Sequence, residues 1–324
     1  MWLVIVNPNA GRKKGKKDWE KISALLIRER IHFKRVYTKR TRHAIHLSIK
    51  YIEQGFTKII VVGGDGTFNE VVNGIFTQNF YHPSEITLGM IPVGTGNDWG
   101  RMFGIPLKYK KAVQIIAAER TFSQDIGKVE YFNSNKKEIR YFANVAGLGY
   151  DAFVAKKTNR LKERGGGGSF SYLLNIVLGL FQYKNKFIEL RIDDKLEFKG
   201  RIFSMSVGIC RFNGGGMMQQ PNAIPNDGIF DLTIIKKTTK MKVVRNLKNL
   251  YDGTFIKMPE VLTFTGKSIS IISKPEKNIF LETDGESLGH SPINFEILPQ
   301  SLKVIVNKIP DESLKPERKN GETE

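Results

Sequence analysis

Ile59-Ile60-Val61-Val62-Gly63-Gly64-Asp65-Gly66-Thr67-Phe68-Asn69-Glu70 is the stretch on which the reading of this chain turns. Four uninterrupted β-branched residues read as a short strand. The glycines that follow permit positive φ and leave backbone N–H groups to cradle anionic oxygens. Thr67 and Glu70 make a Thr-x-x-Glu pattern, which predicts a capping box and a helix beginning there. Phe68, Val71, Val72, Ile75 and Phe76 then fall at i, i+3, i+4, i+7 and i+8, one apolar face. Such a loop delivers a phosphate to a helix N-terminus, where the dipole and unpaired amides favour an anion. Asp65 stands out: a carboxylate there repels phosphate unless a cation lies between them or it holds a substrate hydroxyl. The plainer alternative is a turn aspartate of the Asp-Gly kind.

Working outward, Leu3–Val6 and Thr87–Ile91 are similar short runs, each followed at once by turn residues. Trp19–Arg30 and Ala44–Gln54 have apolar spacing suited to helices. Strand, loop and helix in repetition predict a parallel sheet covered by helices, with ligands bound beyond the carboxyl ends of the strands. Two more loops belong to that edge. In Asn7-Pro8-Asn9-Ala10-Gly11, Pro8 stiffens the turn and Gly11 admits close approach of a ligand, with Arg12, Lys13 and Lys16 following. Alone it reads equally as a plain turn. In Pro92-Val93-Gly94-Thr95-Gly96-Asn97-Asp98, Thr95 and Asn97 can hydrogen-bond a phosphate or ribose, and Asp98 is a second acid. The Walker A pattern, the protein-kinase catalytic signatures and the G-x-G-x-x-G fingerprint are all missing.

From about Tyr141 the pattern changes. Tyr141–Ala146, Phe187–Asp193, Phe198–Ile209, Ile229–Ile235, Ser268–Ser273 and Ile279–Glu282 follow one another as strand-like runs, with helices only at Phe170–Phe181 and Lys240–Tyr251. The expected fold is an α/β N-terminal domain with a parallel sheet, followed by a mainly antiparallel β-sandwich C-terminal domain. The first spans 1–125, with 296–309 packing back on it; the second spans 126–295. The polar tail, 310–324, is expected to be disordered. Gly165–Ser169 reads as a flexible loop.

The 324 residues carry 51 Lys and Arg against 32 Asp and Glu, a net charge of +19. That balance favours polyanions, although a general solubility role accounts for it as well. The basic residues cluster in Arg12–Lys17, Arg28–Arg42 and Lys156–Arg164. No nucleic-acid module accompanies them, so phosphate and an anionic membrane are favoured over nucleic acid. Cys210 excludes an intrachain disulfide and reads as a buried thiol. His43 and His46 lack the carboxylates or further ligands of a metal site. The longest apolar run, Tyr172–Phe181, is too short for a bilayer and contains Asn175 and Gly179. Met1–Val6 lacks a charged leader, so a cytoplasmic location is expected.

Gly63–Gly74 (GGDGTFNEVVNG) together with Gly94–Asp98 (GTGND) resembles the catalytic domain of the diacylglycerol kinase family. That family includes soluble bacterial lipid kinases and sphingosine kinases, with NAD kinases more distant. The resemblance covers the chain apart from its tail. It implies ATP-dependent phosphorylation of a lipid hydroxyl, such as diacylglycerol to phosphatidic acid. Asn7, Pro8, Asn9, Ala10, Gly11, Thr38, Gly63, Gly64, Asp65, Gly66, Thr67, Phe68, Asn69 and Thr95 would hold ATP.

Ile224-Pro225-Asn226-Asp227-Gly228-Ile229-Phe230 is similar to the family's metal loop, which implies Mg²⁺ on the Asp227 side chain and the carbonyls of Ile224 and Ile229. Thr283-Asp284-Gly285-Glu286 is similar to the segment whose glutamate is the general base, so Glu286 and Asp65 are the expected catalytic residues. Asp65 and Asp98 would join a water-mediated network around the metal. Asn226 stands where the family often has an acid, which implies weaker metal retention. On turn chemistry alone Asp227-Gly228 and Asp284-Gly285 read equally as hairpin turns. The resemblance further implies peripheral association with an anionic membrane, helped by Lys156–Arg164 and Phe170–Phe181. A helix covering the second sheet is an equal reading of Phe170–Phe181, and a homodimer is an open alternative to a monomer. The rival functions are a soluble-substrate kinase of the NAD kinase kind, opposed by Gly94–Asp98 and Asp284–Glu286, and a non-enzymatic nucleotide- or lipid-binding protein, opposed by the presence of Asp65, Asp227 and Glu286.

Overall fold

The computed structural model describes residues 1–163, 179, 180 and 182–309. The flexible loop at 165–169, most of the helix expected at Phe170–Phe181 and the tail at 310–324 lie outside the described residues. The chain forms two compact units. Of the described residues, the first takes Met1–Ile126, Pro225–Asp227 and 298–309; the second takes Gly127–Ile224 and Gly228–Ile297.

In the first unit β1 (Trp2–Val6) pairs in parallel with β2 (Phe33–Tyr37) and with β3 (Lys58–Gly63), and β3 pairs in parallel with β4 (Thr87–Pro92). The C-terminal end of β14 (Glu286–Ile305) lies parallel to β4, Lys303 opposite Thr87. Strand order is therefore β14-β4-β3-β1-β2. The chain runs outward from β1 on one side to β2 and on the other to β3, so the direction of winding reverses between β1 and β3. That reversal opens a crevice at the carboxyl ends of these two strands. Leu3, Val4, Ile5, Ile59, Ile60, Val61 and Val62 are fully buried, as interior parallel strands covered on both faces require.

The covering helices are α1 (Ala10–Lys17), α2 (Trp19–Arg28), α3 (His43–Glu53), α4 (Asp65–Thr77), the short α5 (Asp98–Met102) and α6 (Tyr109–Ala117). Helix α4 is buried on nearly every side from Thr67 to Ile75 rather than on one stripe, and Phe76 is only partly covered. Its Phe68 stacks on Trp99 with ring centroids 4.0 Å apart, and Trp99 donates its indole N–H to Gln124 at 2.9 Å. Side chains of this size stabilise by about 1.5–3 kcal/mol each when fully buried.

The expected capping box is not formed. Helix α4 begins at Asp65 with Gly64 as N-cap and has no side-chain cap. Glu70 instead turns outward from α4 and accepts the amides of Arg42 (2.8 Å) and Ala44 (3.0 Å) at the start of α3. The spacing was that of a cap, but the carboxylate caps the neighbouring helix.

The second unit is antiparallel in every pairing between its own strands. It contains β6 (Lys136–Phe142), β7 (Val145–Gly149), β8 (Lys186–Ile192), β9 (Lys195–Gly208), β10 (Phe230–Lys236), β11 (Val261–Gly266), β12 (Ser268–Lys274) and β13 (Phe280–Thr283). β5 (Thr121–Asn133) and β14 each begin in one unit and end in the other. β9 pairs with β8 through its first half and with β7 and β10 through its second. Such a change of partners lets one strand serve two packed layers. Phe142, Phe230 and Phe295 meet in the interior, all three rings within 6.3 Å of one another.

Two expected elements are divided. Tyr141–Ala146 breaks between β6 and β7, and Lys240–Tyr251 is two short helices, α8 (Lys240–Arg245) and α9 (Leu247–Asp252), separated at Asn246. A longer helix, α7 (Tyr150–Glu163), follows β7 directly. No helix among the described residues is long and apolar enough to cross a membrane.

Candidate active site

Three loops meet at the carboxyl edge of the first unit's sheet, and main-chain contact holds them together. Asn7 donates from Nδ2 to Thr67 Oγ1 at 2.8 Å and accepts the Asn9 amide on Oδ1 at 3.0 Å, tying the loop after β1 to helix α4. Gly11 has φ +59°, and a Cβ there would sit 1.7 Å from the Val93 carbonyl oxygen of the loop after β4. No other residue fits that approach. Arg12 and Lys13 continue in the left-handed region at φ +59° and +69°. For side-chain-bearing residues that costs about 1–2 kcal/mol each. A Cβ on Gly94 would lie 2.6 Å from Gly64 Cα, so the loops after β3 and β4 touch backbone to backbone. Thr38, buried just beyond β2, joins the same edge through its amide to Val6 at 2.9 Å.

Helix α4 points into this assembly. Its first amides have no carbonyl one turn back to receive them. An anion at this end of the helix meets both those donors and the positive end of the dipole. Thr95 is exposed at the rim, while Asn97 is buried and donates to the Gly94 carbonyl at 2.7 Å. Phe68 and Asn69, expected among the ATP contacts, have their side chains in the core. Gly63 ends β3, Gly66 lies in the first turn of α4, Ala10 opens α1, and Pro8 lies in the turn after β1.

Asp65 and Asp98 come together around Gly96. A Cβ on Gly96 would lie 3.0 Å from one Asp65 oxygen and 3.4 Å from one of Asp98. Asp65 also accepts the Trp99 amide at 3.2 Å, at the start of α5, and Asp98 lies 3.7 Å from the Arg101 guanidinium.

The second unit builds its acidic site from side chains. Asp284 (φ +48°) and Gly285 (φ +82°) form a two-residue hairpin turn between β13 and β14, with Thr283 opposite Glu286. The turn reading of Asp284-Gly285 therefore holds as local structure, while the carboxylate of Asp284 reaches further. It accepts the amides of Ala143, Asn144 and Val145, each at 3.1 Å, and so pins the break between β6 and β7. Glu286 is partly exposed and is bound by the buried Arg140, Nη2 to Oε2 at 2.6 Å. Glu282 accepts the Gly285 amide at 2.8 Å and Asn213 Nδ2 at 3.0 Å. Burial, and then the nearby Asp151, push its carboxyl up to about 8. Asp151, in the first turn of α7, is raised to about 6 by burial, opposed by hydrogen bonds from Ser204 and Gln219.

Arg140, Asp151, Asn213 and Glu282 were not singled out from the sequence. The available signal was Asp151 at a glycine-rich strand-to-helix junction (Gly147-Leu148-Gly149) and Glu282 two residues before Asp284.

The loop Ile224–Phe230 is held at its centre. The Asp125 amide donates to the Pro225 carbonyl at 2.8 Å, and Gln300 Nε2 donates to that of Asn226 at 3.3 Å. Gly228 is left-handed at φ +72°. One carboxylate, Asp227, with neighbouring peptide oxygens is a donor set of the type hard Mg²⁺ accepts, keeping several waters. Among the described residues no group of three or more His, Cys, Asp or Glu could hold a metal. His43 Nδ1 accepts the Lys39 amide at 3.0 Å, and its pKa is lowered by burial and by Arg40 and Lys39. Cys210 is fully buried.

Residues 1–129 match the diacylglycerol kinase catalytic domain, and residues 144–306 match the YegS C-terminal NAD kinase beta sandwich-like domain. A diacylglycerol kinase of Staphylococcus carnosus (strain TM300) is 31% identical over 305 residues, 94% of each chain. One from Staphylococcus haemolyticus (strain JCSC1435) is 33% identical over 307 residues, 94% of this chain and 88% of that one. The crystal structure of a diacylglycerol kinase from Bacillus anthracis str. Sterne is similar with a TM-score of 0.73 at 26% identity, covering 94% of this chain and 96% of that one.

Proposed function

The chain belongs to the diacylglycerol kinase family and is an ATP-dependent lipid kinase with an N-terminal catalytic domain and a β-rich C-terminal domain, and from that premise we propose that it converts diacylglycerol, or a closely related lipid alcohol, to its phosphate at an anionic membrane surface. The observation that carries the reading is the backbone-to-backbone meeting of the three glycine loops at the N-terminus of α4. Close-packed backbone at the start of a helix suits phosphate oxygens.

In this reading the α/β unit is the nucleotide domain and the antiparallel unit is a β-sandwich that takes the lipid. Asn7–Gly11, Thr38, Gly63–Asn69 and Thr95 bind ATP, the first and third of these groups mainly through their amides. Phe68 and Asn69 act by packing the start of α4 rather than by touching the nucleotide. Glu286 accepts the proton of the lipid hydroxyl while that oxygen bonds to the γ-phosphorus. The bond from phosphorus to the β,γ-bridging oxygen breaks, and ADP leaves with that electron pair. Arg140 fixes the Glu286 carboxylate, and Glu282 holds the turn that carries it. Asp227 with the carbonyls of Ile224 and Ile229 would hold Mg²⁺, whose charge offsets that of the phosphate oxygens. Asp65 orients the start of α5 and, with Asp98, supplies the negative charge that a bound cation needs. The protein works in the cytoplasm as a peripheral membrane enzyme, and nothing in the reading requires nucleic acid or a second copy.

The test offers the purified protein labelled ATP with Mg²⁺, and separately diacylglycerol in vesicles, a total lipid extract and NAD. Labelled phosphatidic acid from the first two is expected. Phosphorylation of NAD alone, or of a different lipid in the extract, would replace diacylglycerol as the substrate.

A further inference from the structure

The second unit carries a basic, partly apolar surface that neither the phosphate loops nor the acidic hairpin uses. Two concavities there, of about 540 Å³ and about 350 Å³, share Arg201 and Lys237. Lys199 and Lys236 line the first as well, and Lys184 and Lys240 the second. The acids beside them are already neutralised, Glu260 by Lys242 and Glu189 by Lys199 and Lys274. Among the described residues, Arg201, Lys236, Lys237 and Lys184 form no salt bridge. Lys236 feels Glu260 at longer range, while Arg201, Lys237 and Lys184 add positive charge that no salt bridge offsets.

The chain that leaves this patch has the composition of an interfacial segment. Between Lys236 and Lys257 the only acid is Asp252, while Lys240, Arg245 and Lys248 add positive charge. Apolar side chains stand out among them: Met241 is 61% exposed, Tyr251 47% and Val244 38%. Met241 and Val244, three apart on α8, share one face of the helix. Exposed apolar residues occur elsewhere on the surface, but here Met241, Val244 and Tyr251 fall within one short, basic segment with a single acid. Lysine and arginine beside exposed apolar residues match a phospholipid headgroup layer, where phosphates meet the cations and the apolar groups enter the acyl boundary.

We propose that this surface docks the kinase on anionic phospholipid, with Arg201, Lys236 and Lys237 taking lipid phosphates and Met241, Val244 and Tyr251 entering the headgroup layer. The inference rests on the reading that the substrate is met at a membrane. It adds where on the chain that membrane is held, at a locus other than the cluster Lys156–Arg164.

The experiment measures sedimentation with vesicles of phosphatidylglycerol and phosphatidylcholine in equal parts, against phosphatidylcholine alone. The Arg201→Gln/Lys236→Gln/Lys237→Gln variant is expected to lose about five-fold in partition per residue, on the order of 100-fold in all. A control, Lys108→Gln/Lys110→Gln/Lys111→Gln, removes the same charge from exposed positions of the first unit and is expected to bind nearly as wild type. Met241→Ser/Val244→Ser, at exposed positions that leave folding intact, should weaken binding to the same vesicles about ten-fold. Turnover of a short-chain diacylglycerol dissolved as monomers should be unchanged in all three.

Unaltered vesicle binding by the triple variant, or equal loss in the control, overturns the docking surface. So does wild-type protein that binds the two vesicle types alike. Wild type that binds phosphatidylglycerol through this surface yet phosphorylates no diacylglycerol would instead break the proposed function and leave the docking surface standing.

Discussion

The loops of the first unit and the hairpin of the second solve different problems with different materials. The loops are made of main chain: Gly11 against Val93, Gly64 against Gly94, and the amides of a helix start. Side chains serve there mostly to tie loops together, as Asn7 does to Thr67. The hairpin is the reverse. Its backbone is an ordinary two-residue turn, and its chemistry resides in carboxylates held by distant groups, Glu286 by Arg140 and Asp284 by the amides of residues 143–145. A phosphate-binding surface can be built by bringing amides close, which demands the absence of side chains. A proton acceptor must be a side chain, and it needs others to aim it.

If that contrast holds, the largest loss should follow from removing one carboxylate in the second unit. Glu286→Gln keeps shape and volume, so folding and ATP binding should survive while kcat falls roughly 10²- to 10⁴-fold. Steady-state kinetics beside an ATP-binding titration separate these effects. Near-normal turnover of the folded variant would remove Glu286 from its role and leave the second unit without a site of this kind.

The first unit should respond to adding atoms rather than removing them. Gly11→Ala places a methyl against a carbonyl oxygen and forces alanine into the left-handed region. Overpacking of about 1–3 kcal/mol and about 1–2 kcal/mol for the backbone together predict ATP affinity reduced on the order of 10²- to 10³-fold. Protection against heat by ATP reports it directly. Undiminished protection would mean that the loops can part without loss, and that they are not the phosphate site.

A third effect, on stability rather than on catalysis or ATP binding, sharpens the comparison through pH. Glu282 keeps its proton in the folded protein up to about pH 8, whereas an unfolded glutamate loses it near pH 4.5. Between these values the folded state binds more protons, so stability falls as pH rises and levels off above about 8. Asp151, raised to about 6, acts in the same direction over a narrower window. Glu282→Gln should flatten the curve by up to about 1.4 kcal/mol per pH unit, seen in urea midpoints between pH 5 and pH 8. A difference between variant and wild type that is constant with pH would contradict the buried, protonated state of Glu282.

The same contrast explains what the sequence made visible. Glycine spacing after β1, β3 and β4 marked the loops that meet backbone to backbone, because such contact leaves a local trace in composition. The strands Leu3–Val6, Ile59–Val62 and Thr87–Ile91 were legible for a similar reason, since burial on both faces leaves few polar residues. The divided strand at Ala143–Asn144 was not, because the group that breaks it, Asp284, lies some 140 residues onward in the chain. Glu70 misled by the same mechanism: its spacing suited the helix it belongs to, while its partners were the amides of α3. Arg140 and Glu282 likewise acquire meaning only from groups brought near by folding. For the loop 224–230 and the hairpin, the proposed roles come from family resemblance, not from turn chemistry, which both readings share.

Main-chain recognition also shapes how such an enzyme can diversify over generations. An exposed position such as Asn9 can drift while the loop amides keep their course, provided Gly11, Gly64 and Gly94 stay bare. Use of the phosphoryl donor is thereby insulated from most substitution. With the lipid taken by the second unit as proposed, a lineage can explore new acceptor alcohols there without having to reinvent its grip on the nucleotide at each step.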